Sequence, residues 1–262
     1  MTKTYFTEKP RLIGMVHCLP LPGTVGFKNN LEAVKTQALE DALKLQEAGF
    51  DAIMIENMGD APFQTNMETE QITALTMIAT LIKEKIKLPL GIDCAFSDYK
   101  SSLAIAKAVG ASFVRIPVFT DTVIYANGII LPCARDAMLY RQKLHAEEVL
   151  ILADIQVKHT YMLNPNITLE QSAHEAEAAG ADVIVITGAS TGQPADANLI
   201  ARMRKIVKVP LIVGSGVSSK NVKEQLTHAD GAVIGSSLKP GGVLSAPVDL
   251  SLSKALVDAY KK

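Results

Sequence analysis

Eight short apolar runs alternate with eight Ala-, Leu-, Lys- and Glu-rich stretches along the 262 residues, and no other feature constrains the fold as strongly. The runs lie near residues 12–16, 51–55, 89–93, 112–117, 149–157, 182–187, 210–214 and 230–235. The stretches of helix length lie near 32–48, 68–86, 98–109, 134–146, 168–179, 196–207, 218–227 and 251–260. Strand and helix in strict alternation is the pattern of parallel βα units, and eight of them predict an α/β protein folded as a (β/α)8 TIM barrel. The entries to the strands alternate too. Ala48-Gly49-Phe50-Asp51, Gly110-Ala111-Ser112, Ala179-Gly180-Ala181-Asp182 and, more loosely, Ala229-Asp230-Gly231 precede the even strands. Lys9-Pro10, Lys87-Leu88-Pro89 and Lys208-Val209-Pro210 precede three of the odd ones. Glycine caps a helix in the left-handed conformation, and proline at the start of a strand lacks no needed donor, so the alternation fits repeated (βα)2 units. No linker interrupts it, and a single barrel domain over 1–262 is expected. A composition of 48% hydrophobic and 5% aromatic residues suits its aliphatic core.

The last two runs break into small, Gly-rich turns: Gly214-Ser215-Gly216 after Leu211-Ile212-Val213, and Gly235-Ser236-Ser237 after Ala232-Val233-Ile234. Glycine lets backbone N–H groups approach an anion, and a following helix N-terminus adds favourable dipole charge; Ser218 or Ser219 would cap that helix. Loops after the last two strands of a barrel often hold phosphate. Gly214, Ser215, Gly216, Gly235 and Ser236 are therefore candidate phosphate-binding residues, extended by Gly188 and Gly192 after the sixth strand. The bland alternative is a pair of ordinary strand-ending turns.

Polar residues at the C-terminal ends of barrel strands converge on one mouth. Here they are His17-Cys18, Glu56-Asn57, Asp93-Cys94, Arg115, the row Asp154, Gln156 and Lys158 with His159, and Thr187-Gly188 followed by Ser190-Thr191-Gly192. Asp154, Gln156 and Lys158 alternate with Ala153, Ile155 and Val157, so the apolar set can face the helices and leave the polar set facing the barrel axis. A desolvated lysine there could act as a base or form a Schiff base, with Asp154 holding it or moving a proton; the alternative is a buried ion-pair network. His17, Glu56 and Asp93 are further acid/base candidates. Arg115 could clamp an anion, or pair internally with Glu56 or Asp93. Glu56 with Asp93 or Asp154 could hold a divalent metal such as Mg2+, although no ligand spacing enforces it, and His17 with Cys18 and Cys94 lacks the spacing of a zinc site. No organic cofactor is expected.

One connection, 119–132, is longer than a βα loop needs and carries Asn127-Gly128 between apolar residues. That dipeptide suggests a hairpin with a type I′ turn, placed to act as a lid over the mouth or merely to plug it.

With 26 Lys plus Arg against 27 Asp plus Glu and no long run of either sign, nucleic acid is not an expected partner. No apolar run approaches the ~20 residues of a membrane helix, and MTKTYFTEKP lacks the apolar core of a signal peptide. Cys18, Cys94 and Cys133 form no CxxC pair, which suits a reducing cytoplasm. A homo-oligomer is left open.

Several longer motifs occur together: Ile13-Gly14-Met15-Val16-His17 with Leu19-Pro20-Leu21-Pro22-Gly23, Ile55-Glu56-Asn57-Met58-Gly59-Asp60-Ala61-Pro62-Phe63, Leu152-Ala153-Asp154 with Val157-Lys158-His159, Gly188-Ala189-Ser190-Thr191-Gly192, Gly214-Ser215-Gly216-Val217 and Ile234-Gly235-Ser236-Ser237-Leu238-Lys239. With these the chain resembles the BtpA family, from about Arg11 to Lys239. That family takes its name from a factor for photosystem I accumulation and includes SgcQ-like proteins encoded beside sugar-uptake genes. The resemblance implies a TIM barrel of the ribulose-phosphate-binding type and a phosphorylated small-molecule ligand. It departs from the family pattern at Asp93-Cys94-Ala95-Phe96-Ser97-Asp98, which lacks an arginine, and at Arg115-Ile116-Pro117, which lacks an asparagine. Gln156 also stands where phosphosugar decarboxylases of the Asp-x-Lys-x-x-Asp type have their lysine. The leading expectation is an enzyme acting on a sugar phosphate through isomerase, epimerase, lyase or hydrolase chemistry. The other is a non-catalytic biogenesis or regulatory factor that binds a phosphorylated metabolite and a protein partner.

Overall fold

The computed structural model describes residues 4–9, 11–188 and 192–261, so Pro10 and the Ala189-Ser190-Thr191 part of the sixth-strand loop lie outside the described residues. Eight strands close a parallel barrel: β1 (Arg11–His17), β2 (Ala52–Glu56), β3 (Leu90–Asp93), β4 (Phe113–Ile116), β7 (Leu150–Asp154), β9 (Val183–Ile186), β10 (Leu211–Val213) and β11 (Gly231–Ile234). They are the eight runs of the sequence, each within a few residues of its expected ends, except that β7 stops at Asp154. A short helix, α1 (Thr4–Thr7), precedes the barrel, and α2 (Leu31–Ala48), α3 (Thr69–Lys85), α4 (Tyr99–Val109), α5 (Ala134–Lys143), α6 (Leu169–Ala178), α7 (Ala197–Arg204), α8 (Val222–Gln225) and α9 (Leu250–Lys261) alternate with its strands. Glycines that end helices have the left-handed backbone expected of them, with φ +94° at Gly49, +68° at Gly110 and +98° at Gly180.

The strands alternate strictly between two cores. Leu12, Val16, Ile53, Ile55, Ile151, Ala153, Ile184 and Ile186 pack outward against the helices. Ile13, Met15, Ala52, Met54, Leu150, Leu152, Val183 and Val185 fill the barrel, with Phe113 over the open face of Gly91 and Phe6 of α1 within the same cluster. The inward rows of β1, β2, β3, β4 and β7 end in His17, Glu56, Asp93, Arg115 and Asp154 at the C-terminal rim, so a packed interior carries a polar mouth.

Beyond β4 the chain leaves the barrel as β5 (Val123–Tyr125) and β6 (Gly128–Ile130), an antiparallel hairpin that β8 (Tyr161–Met162) extends to three strands. Tyr125 pairs with Gly128, so the turn is centred on Ala126 and Asn127, and the positive φ of +112° falls on Gly128. The turn is therefore displaced by one residue from an Asn-Gly type I′ turn, which needs φ > 0 at both central positions. The helix after β10 is also shorter than expected. It begins at Val222, because Asn221 turns its Oδ1 back onto the N–H of Ser218 at 2.8 Å, and four residues carry little macrodipole.

Among the described residues no helix is long and apolar enough to cross a membrane.

Candidate functional site

Parallel pairing places four polar residues side by side on the mouth: His17 opposite Glu56, Glu56 opposite Asp93, and Asp93 opposite Arg115. Asp154 ends β7 on the other side of Arg115 and completes the layer. Arg115 donates from Nε to Asp154 Oδ1 and from Nη2 to Oδ2, both at 2.7 Å, while its Nη1 stands 3.6 Å from Asp93 Oδ2. Arg115 thus pairs internally, with Asp154 as its main partner. Burial alone would favour loss of the guanidinium proton, but the charges of Asp154, Asp93 and Glu56 outweigh it and raise the arginine pKa.

On the opposite wall burial works against charge. His17 Nε2 lies 3.4 Å from Glu56 Oε2. Burial, reinforced by the positive charges of Lys239, Lys158 and Arg115, lowers the imidazole pKa from 6.5 to about 3, so the ring is neutral at pH 7. Burial raises Glu56 above the usual carboxyl range despite Arg115 and Lys158, and it raises Asp93 further, with Glu56 adding repulsion. Asp93 Oδ1 and His17 Nδ1 are buried without a hydrogen-bond partner among the described residues.

Lys158 reaches this layer from a loop rather than a strand. After Asp154 the chain turns at Gln156, which adopts φ +44° and donates its side-chain amide to Ile167 O and Ser172 Oγ, toward α6. Asp121 fixes the turn by accepting from Gln156 N at 2.6 Å and Ser172 Oγ at 2.7 Å. Gln156 is therefore not on the barrel axis, because strand periodicity ends two residues before it. Lys158 is anchored by its own N–H, which donates to Thr187 Oγ1 at 3.1 Å, and its side chain lines the mouth cavity. Asp154 does not hold it: the Lys158 ammonium makes no hydrogen bond or ion pair among the described residues. Burial, then repulsion from Arg115, lowers its pKa, with Glu56, Asp154 and Asp93 opposing.

The cavity measures about 290 Å³, and Met15, Phe63, Phe96, Tyr125, Val157 and Val233 form much of its apolar wall. Phe96 and Tyr125 stack at 4.4 Å and 6°, and Asn127 donates to Phe63 O, so the hairpin is tied to the loops after β2 and β3. Gly192, Gly214, Ser215, Gly216, Gly235 and Ser236 line another side, whereas Gly188 lines a cleft outside it. Serine hydroxyls stitch these loops together: Ser215 Oγ accepts from Gly188 N at 2.9 Å, and Ser237 Oγ donates to Val217 O at 2.6 Å. The N–H groups of Gly216, Val217, Gly235 and Ser236 find no acceptor among the described residues. Gly216 has φ +72°, and a Cβ there would lie 2.1 Å from the Gln193 carbonyl carbon; a Cβ at Gly235 would lie 2.7 Å from His17 Cε1. Gly214 N is already bonded to Ile186 O.

Among the described residues, no three His, Cys, Asp or Glu side chains are grouped so as to hold a metal ion. Glu56 faces His17, and Asp93 and Asp154 face Arg115 instead of sharing one centre. Cys18 and Cys94 are buried free thiols.

The BtpA family matches the chain over residues 7–262. The chain belongs to the BtpA family. An uncharacterized protein of Pyrococcus horikoshii is 39% identical over 257 residues, covering 98% of this chain and 97% of that one. The photosystem I biogenesis protein BtpA of Synechocystis is 34% identical over 260 residues, covering 98% of this chain and 90% of its own. Among solved structures, thiamine phosphate pyrophosphorylase from Pyrococcus furiosus superposes with a TM-score of 0.59 at 14% identity, covering 98% of each chain, which is a likeness of fold.

Within this BtpA-family chain, much of the motif sequence builds the rim of the mouth. Asp60 accepts from Leu21 N, Asn57 Nδ2 and Gln71 Nε2 at 2.7–2.9 Å, which joins the loops after β1 and β2 to α3. Gly59 packs where a Cβ would lie 2.4 Å from Pro20 N. Asn57 also accepts from Ala95 N, tying in the loop after β3. Sequence reasoning missed the Phe63, Phe96 and Tyr125 wall, since these residues are distant in sequence. It also missed Lys239, whose fully buried ammonium donates to Ala246 O at 2.5 Å and faces Asp41 Oδ2 at 3.7 Å. The only available signal was a lysine directly after an apolar Gly-Ser-Ser-Leu turn.

Proposed function

We propose that this chain is an enzyme acting on a phosphorylated small molecule, most simply a sugar phosphate. The observation that carries the reading is the Lys158 ammonium, which makes no hydrogen bond or ion pair among the described residues and shares the mouth cavity with Glu56 and Asp93, two carboxyls whose pKa values burial raises. A structural ion-pair network would use its lysine; here Arg115 already takes that part with Asp154. Lys158 would exchange a proton with the substrate or attack it, Glu56 and Asp93 would supply protons, and neutral His17 would accept one. Asp154 would act by holding Arg115, whose remaining donor edge sits beside Asp93.

The N–H groups of Gly216, Val217, Gly235 and Ser236, which find no acceptor among the described residues, would receive the phosphate. Gly188, Gly192 and Ser215 would shape that cradle, and the hairpin over 119–132 would exclude water from it. The fold relative named for a thiamine phosphate supports a phosphorylated ligand. Three free thiols suit a reducing cytoplasm.

Thermal unfolding against sugar phosphates, inorganic phosphate and divalent cations tests the reading. A ligand at ~100 times its Kd adds about 2.7 kcal/mol of stability. Selective stabilisation by one phosphorylated compound, lost in Gly216→Val, supports it. If no phosphate-bearing compound stabilises the protein, the reading falls, and a biogenesis role of the kind named for the Synechocystis relative takes its place.

A further inference from the structure

We propose that Lys158 is a Schiff-base nucleophile and that the substrate carries an aldehyde or ketone as well as its phosphate. This rests on the mouth cavity being an enzyme's active site. Three features of geometry carry it. The Lys158 ammonium has no ion-pair or hydrogen-bond partner among the described residues, while Asp154, the nearest carboxylate in sequence, spends both oxygens on Arg115. The lysine backbone is fixed by its bond to Thr187 Oγ1, so the side chain starts from a held point and ends in the cavity. Glu56 and Asp93 line that cavity too, which puts two carboxyl groups in the space that Lys158 enters.

The environment suits this chemistry better than simple charge pairing. Apolar Phe96, Tyr125 and Val157 line the same space and desolvate the amine. Burial lowers its pKa, and each unit of lowering multiplies the free-amine fraction about tenfold. Burial raises both carboxyl pKa values, which favours the acid form that assists carbinolamine formation and dehydration.

The step balances without another reagent. The Nζ lone pair of the neutral amine adds to the carbonyl carbon, and the C=O π pair moves to oxygen, which takes the proton of Glu56 or Asp93. The new C–N bond leaves a positive nitrogen, which returns one proton to that carboxylate. The hydroxyl then takes this proton and departs as water, while the nitrogen lone pair forms C=N. One carbonyl, one amine and one proton give one protonated imine and one water.

The test is reductive trapping on the full chain. Glyceraldehyde 3-phosphate, dihydroxyacetone phosphate, pyridoxal 5′-phosphate and unphosphorylated pyridoxal are each added with cyanoborohydride, and adducts are located by peptide mass mapping. The expected result is one dominant adduct on Lys158, about tenfold above any other lysine for a single unit of pKa lowering. It should be absent in Lys158→Arg, which keeps the charge and should unfold at the wild-type temperature. Glu56→Gln should slow trapping while leaving thermal stabilisation by the phosphorylated probes in place. Adducts spread over exposed lysines, with the same yield in Lys158→Arg, overturn the inference. Thermal stabilisation by phosphorylated compounds with no adduct on Lys158 also overturns it, and leaves the phosphorylated-substrate reading standing. An adduct on Lys158 that forms equally with pyridoxal and is insensitive to inorganic phosphate supports the Schiff base and removes the phosphate.

Discussion

Arg115 and Asp154 face each other in a two-point contact, Nε to Oδ1 and Nη2 to Oδ2 at 2.7 Å, across the β4–β7 seam of the barrel. Both are almost wholly buried, so their attraction acts in a medium that screens it poorly, and each is costly without the other. The pairing also leaves Asp154 no oxygen for Lys158, which makes no ion pair among the described residues.

Asp154→Asn should therefore destabilise the protein strongly, by about 3–5 kcal/mol, because it strands a buried guanidinium. The double variant Arg115→Met, Asp154→Leu should lose much less. Urea unfolding of the three proteins measures both; equal losses would show that packing rather than charge governs the site.

Lys158→Met should be at least as stable as the wild type at pH 7, since it removes a half-buried ammonium that has no hydrogen-bond or ion-pair partner among the described residues. The native pKa lies below 10.5, so between the two values the unfolded chain binds more protons and wild-type stability rises with pH. That rise should be missing from the variant. A wild-type and a variant profile that run parallel through this alkaline window would place the lysine in water.

His17 supplies an acid-side dependence of the same sign. With a native pKa of about 3 against 6.5 unfolded, its contribution is complete above 6.5 and is lost as pH falls toward 3. The slope is at most about 1.4 kcal/mol per pH unit. Glu56 and Asp93 act in the opposite direction: their raised values give stability that is present below 4.5 and 3.8 and lost as pH rises through the native values. The two trends oppose each other in mildly acidic solution. His17→Asn should leave a stability that declines with rising pH there, and Glu56→Gln should leave a steeper increase; chemical unfolding from pH 3 to 7 separates them.

Gly216→Ala should cost about 1–3 kcal/mol from its left-handed backbone, in addition to its contact with the Gln193 carbonyl. Gly235→Ala has no such φ penalty but pushes on His17 at 2.7 Å. Its loss of stability should be smaller, with the imidazole NMR resonances displaced. Unperturbed resonances would mean that the loop after β11 relaxes away from β1.

Much of the fold was legible because its signals are local. Strand and helix lengths, the glycine caps at Gly49, Gly110 and Gly180, and the inward parity of His17, Glu56, Asp93, Arg115 and Asp154 all follow from spacing along one segment. Strand β7 shows where this fails. Parity carried past Asp154 would put Gln156 on the axis, but the strand ends at Asp154 and the turn to φ +44° is held by Asp121, thirty-five residues away. The helix after β10 shortened for a similar reason, with Asn221 bonding back to Ser218.

The sequence by itself determined how many βα units there are, which side chains point into the barrel, and that its C-terminal rim would be polar. Those are consequences of backbone periodicity, which each strand possesses before it meets another. Tertiary structure alone decided which polar groups meet. Strand register and barrel closure set Asp154 against Arg115, Glu56 against His17, and Lys158 against neither. Those choices depend on hydrogen bonds between segments far apart in the chain, and burial then turned ordinary side chains into a neutral imidazole, carboxyls of raised pKa and an amine of lowered pKa.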